Sequence, residues 1–123
     1  MYELIDACFD GYTELALKLI ENKANIDLQD ENGYTALMGL CFDNNTEIAL
    51  KLIENKANLN LQDENGWTVL MYSCCNNNTE LILKLIENKV NLDIQENNGW
   101  TNLMIACSQN CNTNIIGLLL EMY

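Results

Sequence analysis

Apolar residues gather in two short helical stripes per cycle, and the cycle returns every 33 residues. In its second passage Leu37, Met38, Leu40 and Cys41 form the first stripe, and Ile48, Ala49, Leu52 and Ile53 the second. Both follow the three-to-four-residue spacing of one helix face. Thr35 precedes the first stripe and suits an N-cap, because its hydroxyl can accept from a free backbone N–H. Asn44 follows that stripe as a left-handed stop, and Gly11 and Asn77 stand at the same place in the neighbouring cycles. Glycine and asparagine adopt that conformation most readily. Thr46 reopens a helix that runs to about Glu54, after which Leu59 to Glu64 leads to the next Asn-Gly. Asn32-Gly33 fits a two-residue hairpin turn with positive φ at both positions.

The strongest repeat is Asn65-Gly66-Trp67-Thr68-Val69-Leu70-Met71. It appears earlier as Asn32-Gly33-Tyr34-Thr35-Ala36-Leu37-Met38 and later as Asn98-Gly99-Trp100-Thr101-Asn102-Leu103-Met104. The segment from Thr13 to Lys23 likewise returns from Thr46 and from Thr79. Self-similarity at such a period predicts a solenoid, in which a unit buries its core only against its neighbours. The expected units are 1–29, 30–62, 63–95 and 96–123, forming one domain without a linker. The first unit begins at its first helix, with Leu4 matching Leu37. The last carries one extra residue between Cys107 and Thr113 and stops near the end of its second helix.

These residues resemble the ankyrin repeat over essentially the whole chain. That pattern reads G-x-T-P-L-H-x-A-A, a turn, then E-I-V-x-L-L-L-x-x-G-A-D-V-N. The second unit answers with Gly33, Thr35, Leu37, Cys41, Glu47, Ile48, Leu52, Ile53, Ala57, Asn58 and Asn60. The resemblance implies an all-α solenoid of stacked helix–turn–helix units joined by short β-hairpins. It also implies a protein–protein interaction module that uses a concave face of fingers and first helices. Three departures recur: Ala36, Val69 and Asn102 replace the proline, and Met38, Met71 and Met104 the histidine. Lys23, Lys56 and Lys89 replace the glycine after the second helix. Near-identical, asparagine-rich repeats also resemble ankyrin proteins of some bacteria, protists and large viruses, which implies host-cell targets.

Charge narrows the partner. Eighteen acids face six lysines, with no arginine or histidine, for a net charge of −12. Nucleic acid and anionic membranes both need a basic footprint, so a protein with a basic or neutral surface is expected. No apolar run reaches the roughly 18 residues of a membrane span, and the N-terminus lacks the pattern of a signal peptide. Cys8, Cys41, Cys74 and Cys107 fall on the repeat. Stacked helices lie about 8–10 Å apart, beyond the roughly 7 Å Cα separation of a disulfide, so the ladder should remain reduced, as in a cytoplasm. Without histidine, a phosphate-binding glycine loop or zinc spacing at Cys74-Cys75 and Cys107-x-x-x-Cys111, we expect no enzyme, cofactor or metal. Asp30-Glu31 and Asp63-Glu64 are expected in open solvent.

The candidate binding residues are aromatic and acidic. Tyr34, Trp67 and Trp100 form a ladder between Gly and Thr of each finger, while Asp6, Gly39, Tyr72 and Ile105 share an outward position on the first helices. Tyrosine and tryptophan are enriched in binding hot spots; packing along adjacent hairpins is the competing role. All six lysines lie on or just after second helices, where Glu14–Lys18, Glu47–Lys51 and Glu80–Lys84 have favourable i,i+4 order. Asp6, Asp10, Asp30, Glu31, Asp43, Asp63, Glu64 and Glu96 remain on the finger side. The expected contact set is therefore Tyr34, Trp67, Tyr72, Trp100, Ile105, Glu31, Glu64 and Asp43. A second expectation is self-association, as a homodimer or as a fragment or subunit of a longer array, through apolar terminal units such as Ile115-Ile116-Gly117-Leu118-Leu119-Leu120, since solenoids need polar caps.

Overall fold

The structure is a computed structural model that describes residues 1–108 and 113–121. Each unit contributes a seven-residue helix followed by a nine-residue helix. In order they are α1 (Glu3–Phe9), α2 (Thr13–Glu21), α3 (Ala36–Phe42), α4 (Thr46–Glu54), α5 (Val69–Cys75), α6 (Thr79–Glu87), α7 (Asn102–Ser108) and α8 (Thr113–Glu121). First helices pack side by side as α1–α3–α5–α7, and α2–α4–α6 forms the second layer. Helices this short are marginal alone, which makes packing between units the source of their stability. Leu40, Cys41, Ile48, Leu52, Leu70, Leu81, Ile82 and Leu85 form a fully buried seam between the layers. The described residues include no strand. The extra residue between Cys107 and Thr113, the position of Cys111 and the final Tyr123 lie outside the described residues.

Local signals in the repeat act as expected at the helix ends. Thr35 Oγ1 accepts from Met38 N at 3.2 Å, and Thr68 and Thr101 cap α5 and α7 in the same way. Asn44 and Asn77 are left-handed, with φ of 60° and 55°, as is Gly11 at 77°. Lys23, Lys56 and Lys89 also sit at φ of 64°, 66° and 61°. Each begins a closing motif: Lys56 N bonds Ile53 O and Ala57 N reaches back to Leu52 O, satisfying two free carbonyls. Those bonds hold lysine in a conformation that costs an L-residue about 1–2 kcal/mol.

Two expectations require correction. In the fingers, positive φ falls on Gly33, Gly66 and Gly99 and not on the preceding asparagine. The loop is closed by Asp30, whose N–H donates to Tyr34 O while its carbonyl accepts from Gly33 N. Its carboxylate also accepts from Asn32 N and Tyr34 N, each at 2.9 Å. This is a three-residue loop with glycine at the left-handed place, set by the aspartate side chain. Second, the described lysine ion pairs of the second helices are Lys51–Glu54 at 3.8 Å and Lys84–Glu87 at 3.4 Å, not the i,i+4 pairs. The lysines reach toward the helix C-terminus, where the carbonyl ends attract them.

Adjacent fingers are bonded to one another. Glu64 N donates to Asn32 O and Asn97 N to Asn65 O. Gln29 Nε2 reaches Gln62 O, and Gln62 Nε2 reaches Gln95 O. Glycine at 33 has a second reason to be there: a Cβ would lie 2.9 Å from Asp63 Cα in the next finger. The fingers therefore form a fixed row.

Candidate functional site

The fourth residue of each first helix decides how the rings on this face assemble. At Gly39 the missing side chain leaves room for Phe9 from the preceding unit; a Cβ there would lie 1.7 Å from Phe9 Cε1. Phe9 then meets Tyr34 edge-on, with centroids 6.4 Å apart and planes at 71°. One unit along, the same position holds Tyr72. It meets Phe42 edge-on at 6.1 Å and 81°, and Trp67 at 5.1 Å and 44°. Between the two groups lies an open cavity of about 380 Å³, walled by Phe9, Tyr34, Phe42 and Tyr72, floored by Met38 and Gly39, and edged by Asp43.

Asp63 fixes this arrangement from behind. The sequence places it in open solvent, yet it is 6% exposed. Its Oδ1 accepts from Asn65 N at 2.9 Å and Trp67 N at 3.0 Å, closing the second finger. Its Oδ2 accepts from the Tyr72 hydroxyl. Burial, and then that bond to Asp63, push the Tyr72 phenol far above its ordinary range, so it remains a hydrogen-bond donor. A buried carboxylate with three donors is held by the fold, and it holds the ring in turn.

Cys8 and Cys41 of the cysteine ladder are buried thiols. Burial pushes Cys41 up to about 12 and Cys8 up to about 11. The Cys41 shift is partly opposed by its hydrogen bond with Ser73. Such thiols stay protonated at neutral pH and behave as small apolar groups. Cys8, Cys41 and Cys107 are free thiols. Among the described residues no cluster of three or more His, Cys, Asp or Glu is arranged to hold a metal ion.

The structure gathers some of the expected contact residues and separates others. Trp67 and Tyr72 pack together, Tyr34 walls the cavity shared with Tyr72, and Asp43 edges the same cavity. Glu31 and Glu64 are exposed in the fingers. Trp100 is 44% exposed but sits beside Leu103, Met104 and Cys107, apart from that run. Ile105 is a correction: at 2% exposure it offers a partner nothing. An aliphatic side chain gains by turning inward, whereas Tyr72 carries a hydroxyl that must reach Asp63. Phe9, Phe42 and Asp63 are absent from the sequence-derived set. The two phenylalanines are 33 residues apart at the ends of first helices, which is the signal that could have found them.

A family model described as ankyrin repeats, three copies, matches residues 4–95 and, in a second overlapping placement, 39–123. The chain belongs to the ankyrin-repeat family. Members are generally protein–protein interaction modules rather than enzymes. No curated protein matches the chain. Among the described residues no helix is long and apolar enough to cross a membrane.

Proposed function

We propose that this chain binds a partner protein through the face formed by its fingers and first helices. One observation carries the reading: Phe42 is 66% and Phe9 42% exposed, on the walls of the cavity they share with Tyr34 and Tyr72. A large ring left in water beside half-buried Tyr34, Trp67 and Tyr72 is the kind of anchor that binding hot spots use. Glu31, Glu64 and Asp43 give this face negative charge, while the lysines lie on the second helices and their ends, so the partner surface is basic or neutral. Nucleic acid and anionic membrane do not fit that charge. Trp100 extends the contact only if the partner also spans the fourth unit. The free thiols suit a reducing compartment such as a cytoplasm, including that of a host cell. Capture of a partner by wild type, Phe42→Ala/Trp67→Ala and the back-face variant Lys51→Ala/Lys84→Ala tests the assignment. Only the aromatic variant should lose capture, with thermal unfolding confirming that it folds; equal capture by all three rejects the front face.

A second reading, self-association, has its own observation. Met38 and Met71 are 1% and 0% exposed under the following unit, whereas Met104 at the same place is 51% exposed. Leu120 is 56% exposed where Ile53 is 2%, and at the opposite end Leu15 is 47% exposed where Ile48 is 0%. These two surfaces are the halves that mate inside the stack, which favours head-to-tail docking of copies. Sedimentation across concentration tests it. Association should disappear in both Met104→Glu and Leu15→Glu yet return as a dimer when the two are mixed. A monomer at every concentration disposes of this reading.

A further inference from the structure

We propose that the cavity between Phe9–Tyr34 and Phe42–Tyr72 receives a cationic side chain, lysine or arginine, from the partner. The inference rests on the front-face reading and adds the chemistry of its anchor point. Four aromatic side chains wall the cavity, and aromatic faces carry the negative end of a quadrupole that attracts cations. The Tyr72 hydroxyl donates to the Asp63 carboxylate. That donation shifts electron density into the Tyr72 ring and places a buried negative charge behind it. Asp43 supplies a second carboxylate at the rim, and no lysine lines the space.

The site is also built before any ligand arrives. Phe9 is seated where Gly39 lacks a side chain, Tyr72 is tethered to Asp63, and Trp67 packs against Tyr72. A cavity with Phe9 and Tyr72 already held loses less entropy on binding than one that must order every wall. An apolar side chain would also cover the rings, but it would strip water from Asp43 without giving the carboxylate a partner. A cation on a flexible aliphatic stem satisfies both demands, its methylenes lying on the rings and its charge facing Asp43.

The test is an NMR titration of the whole chain with three capped amino acids: N-acetyl-lysine methylamide, its arginine counterpart and the neutral norleucine counterpart. The two cations should shift the amide signals of Gly39, Phe42 and Asp43 and bind about two- to fivefold more tightly than norleucine. Asp43→Asn should erase most of that preference, and its own spectrum shows whether the fold persists. Equal binding of all three probes, an unchanged preference in Asp43→Asn, or no shifts at these positions overturns the proposal. Any of these results beside capture that still depends on Phe42 and Trp67 would leave the binding face standing and remove only the cation. If capture is also insensitive to those rings, the face itself is misassigned.

Discussion

Met71 and Met104 occupy the same place in consecutive units, follow the same Thr cap and head helices of equal length. One is fully buried and the other is half exposed. The cysteine three positions later behaves alike: Cys74 is buried and Cys107 is exposed. Nothing in the local sequence separates the members of these pairs. Burial in this molecule is conferred by the next unit, so the energetic value of a residue depends on what stacks against it. The central seam and the last unit therefore form a controlled experiment within one chain.

The largest test of that contrast is truncation of the two methionines. Met71→Ala should cost about 2–5 kcal/mol, because it leaves a cavity in a close-packed seam. Met104→Ala, already in contact with water, should stay within about 1 kcal/mol of wild type by the ordinary behaviour of exposed sites. Urea unfolding of both variants reads the difference directly. Equal losses would mean that the last unit is covered in solution, which returns attention to self-association.

Glycine substitutions sharpen the same comparison. Gly39→Ala pushes a methyl group into Phe9, and displacing that ring costs about 1–3 kcal/mol. Alanine gains about 0.5–1 kcal/mol within a helix, which leaves a net loss of about 0.5–2 kcal/mol. Gly117 lies within α8, and a methyl group added there would meet nothing within 4 Å, so alanine should stabilise by about 0.5–1 kcal/mol. The expected changes have opposite signs for the same substitution. If Gly39→Ala were neutral, Phe9 would not be seated on that glycine, and the aromatic wall described above would be wrong.

The buried thiols predict a pH limb. Cys41 rises from 9.0 to about 12 in the folded chain through burial. Above pH 9 the unfolded chain releases this proton and the folded chain does not, so stability falls with rising pH. The loss runs from about pH 9 toward the folded value, at up to about 1.4 kcal/mol per pH unit for one such thiol. Below pH 9 the thiol contributes no pH dependence. Chemical denaturation at pH 8 and pH 10 should show the decline, and Cys41→Ala should lessen it, Cys8 keeping a share. An identical slope in that variant would assign the alkaline loss elsewhere.

What the sequence made legible was mostly local. The threonine caps, the left-handed Asn44 and Asn77 and the strained lysines are each decided within a few residues, and the period reveals the stacking. Asn32-Gly33 misled because the dipeptide alone suggests two positive φ angles, while the closing bonds come from the Asp30 carboxylate. Asp63 looked like any exposed finger acid; only the Tyr72 hydroxyl, nine residues on, gives it a reason to be buried. The seating of Phe9 on Gly39 joins residues of different units, where chain pattern carries no distance information. Ile105 shared a register with Tyr72 but not its polar end, so register alone assigned it the wrong side.

The smallest prediction separates local strain from neighbour effects. Lys23, Lys56 and Lys89 hold nearly the same left-handed angle, at 64°, 66° and 61°, although they stand in three different units. Strain of this kind belongs to the residue itself, so Lys→Gly should release a similar amount at each place. The release is about 1 kcal/mol, reduced by glycine's greater freedom when unfolded and by the lost charge at the helix end. A net gain of about 0.5 kcal/mol per site is expected, equal across Lys23→Gly, Lys56→Gly and Lys89→Gly within about 0.3–0.5 kcal/mol. The methionine series should vary with position while the lysine series stays level. A lysine series that instead rose toward the centre of the stack would show that these caps are coupled to packing, and that no part of the repeat acts alone.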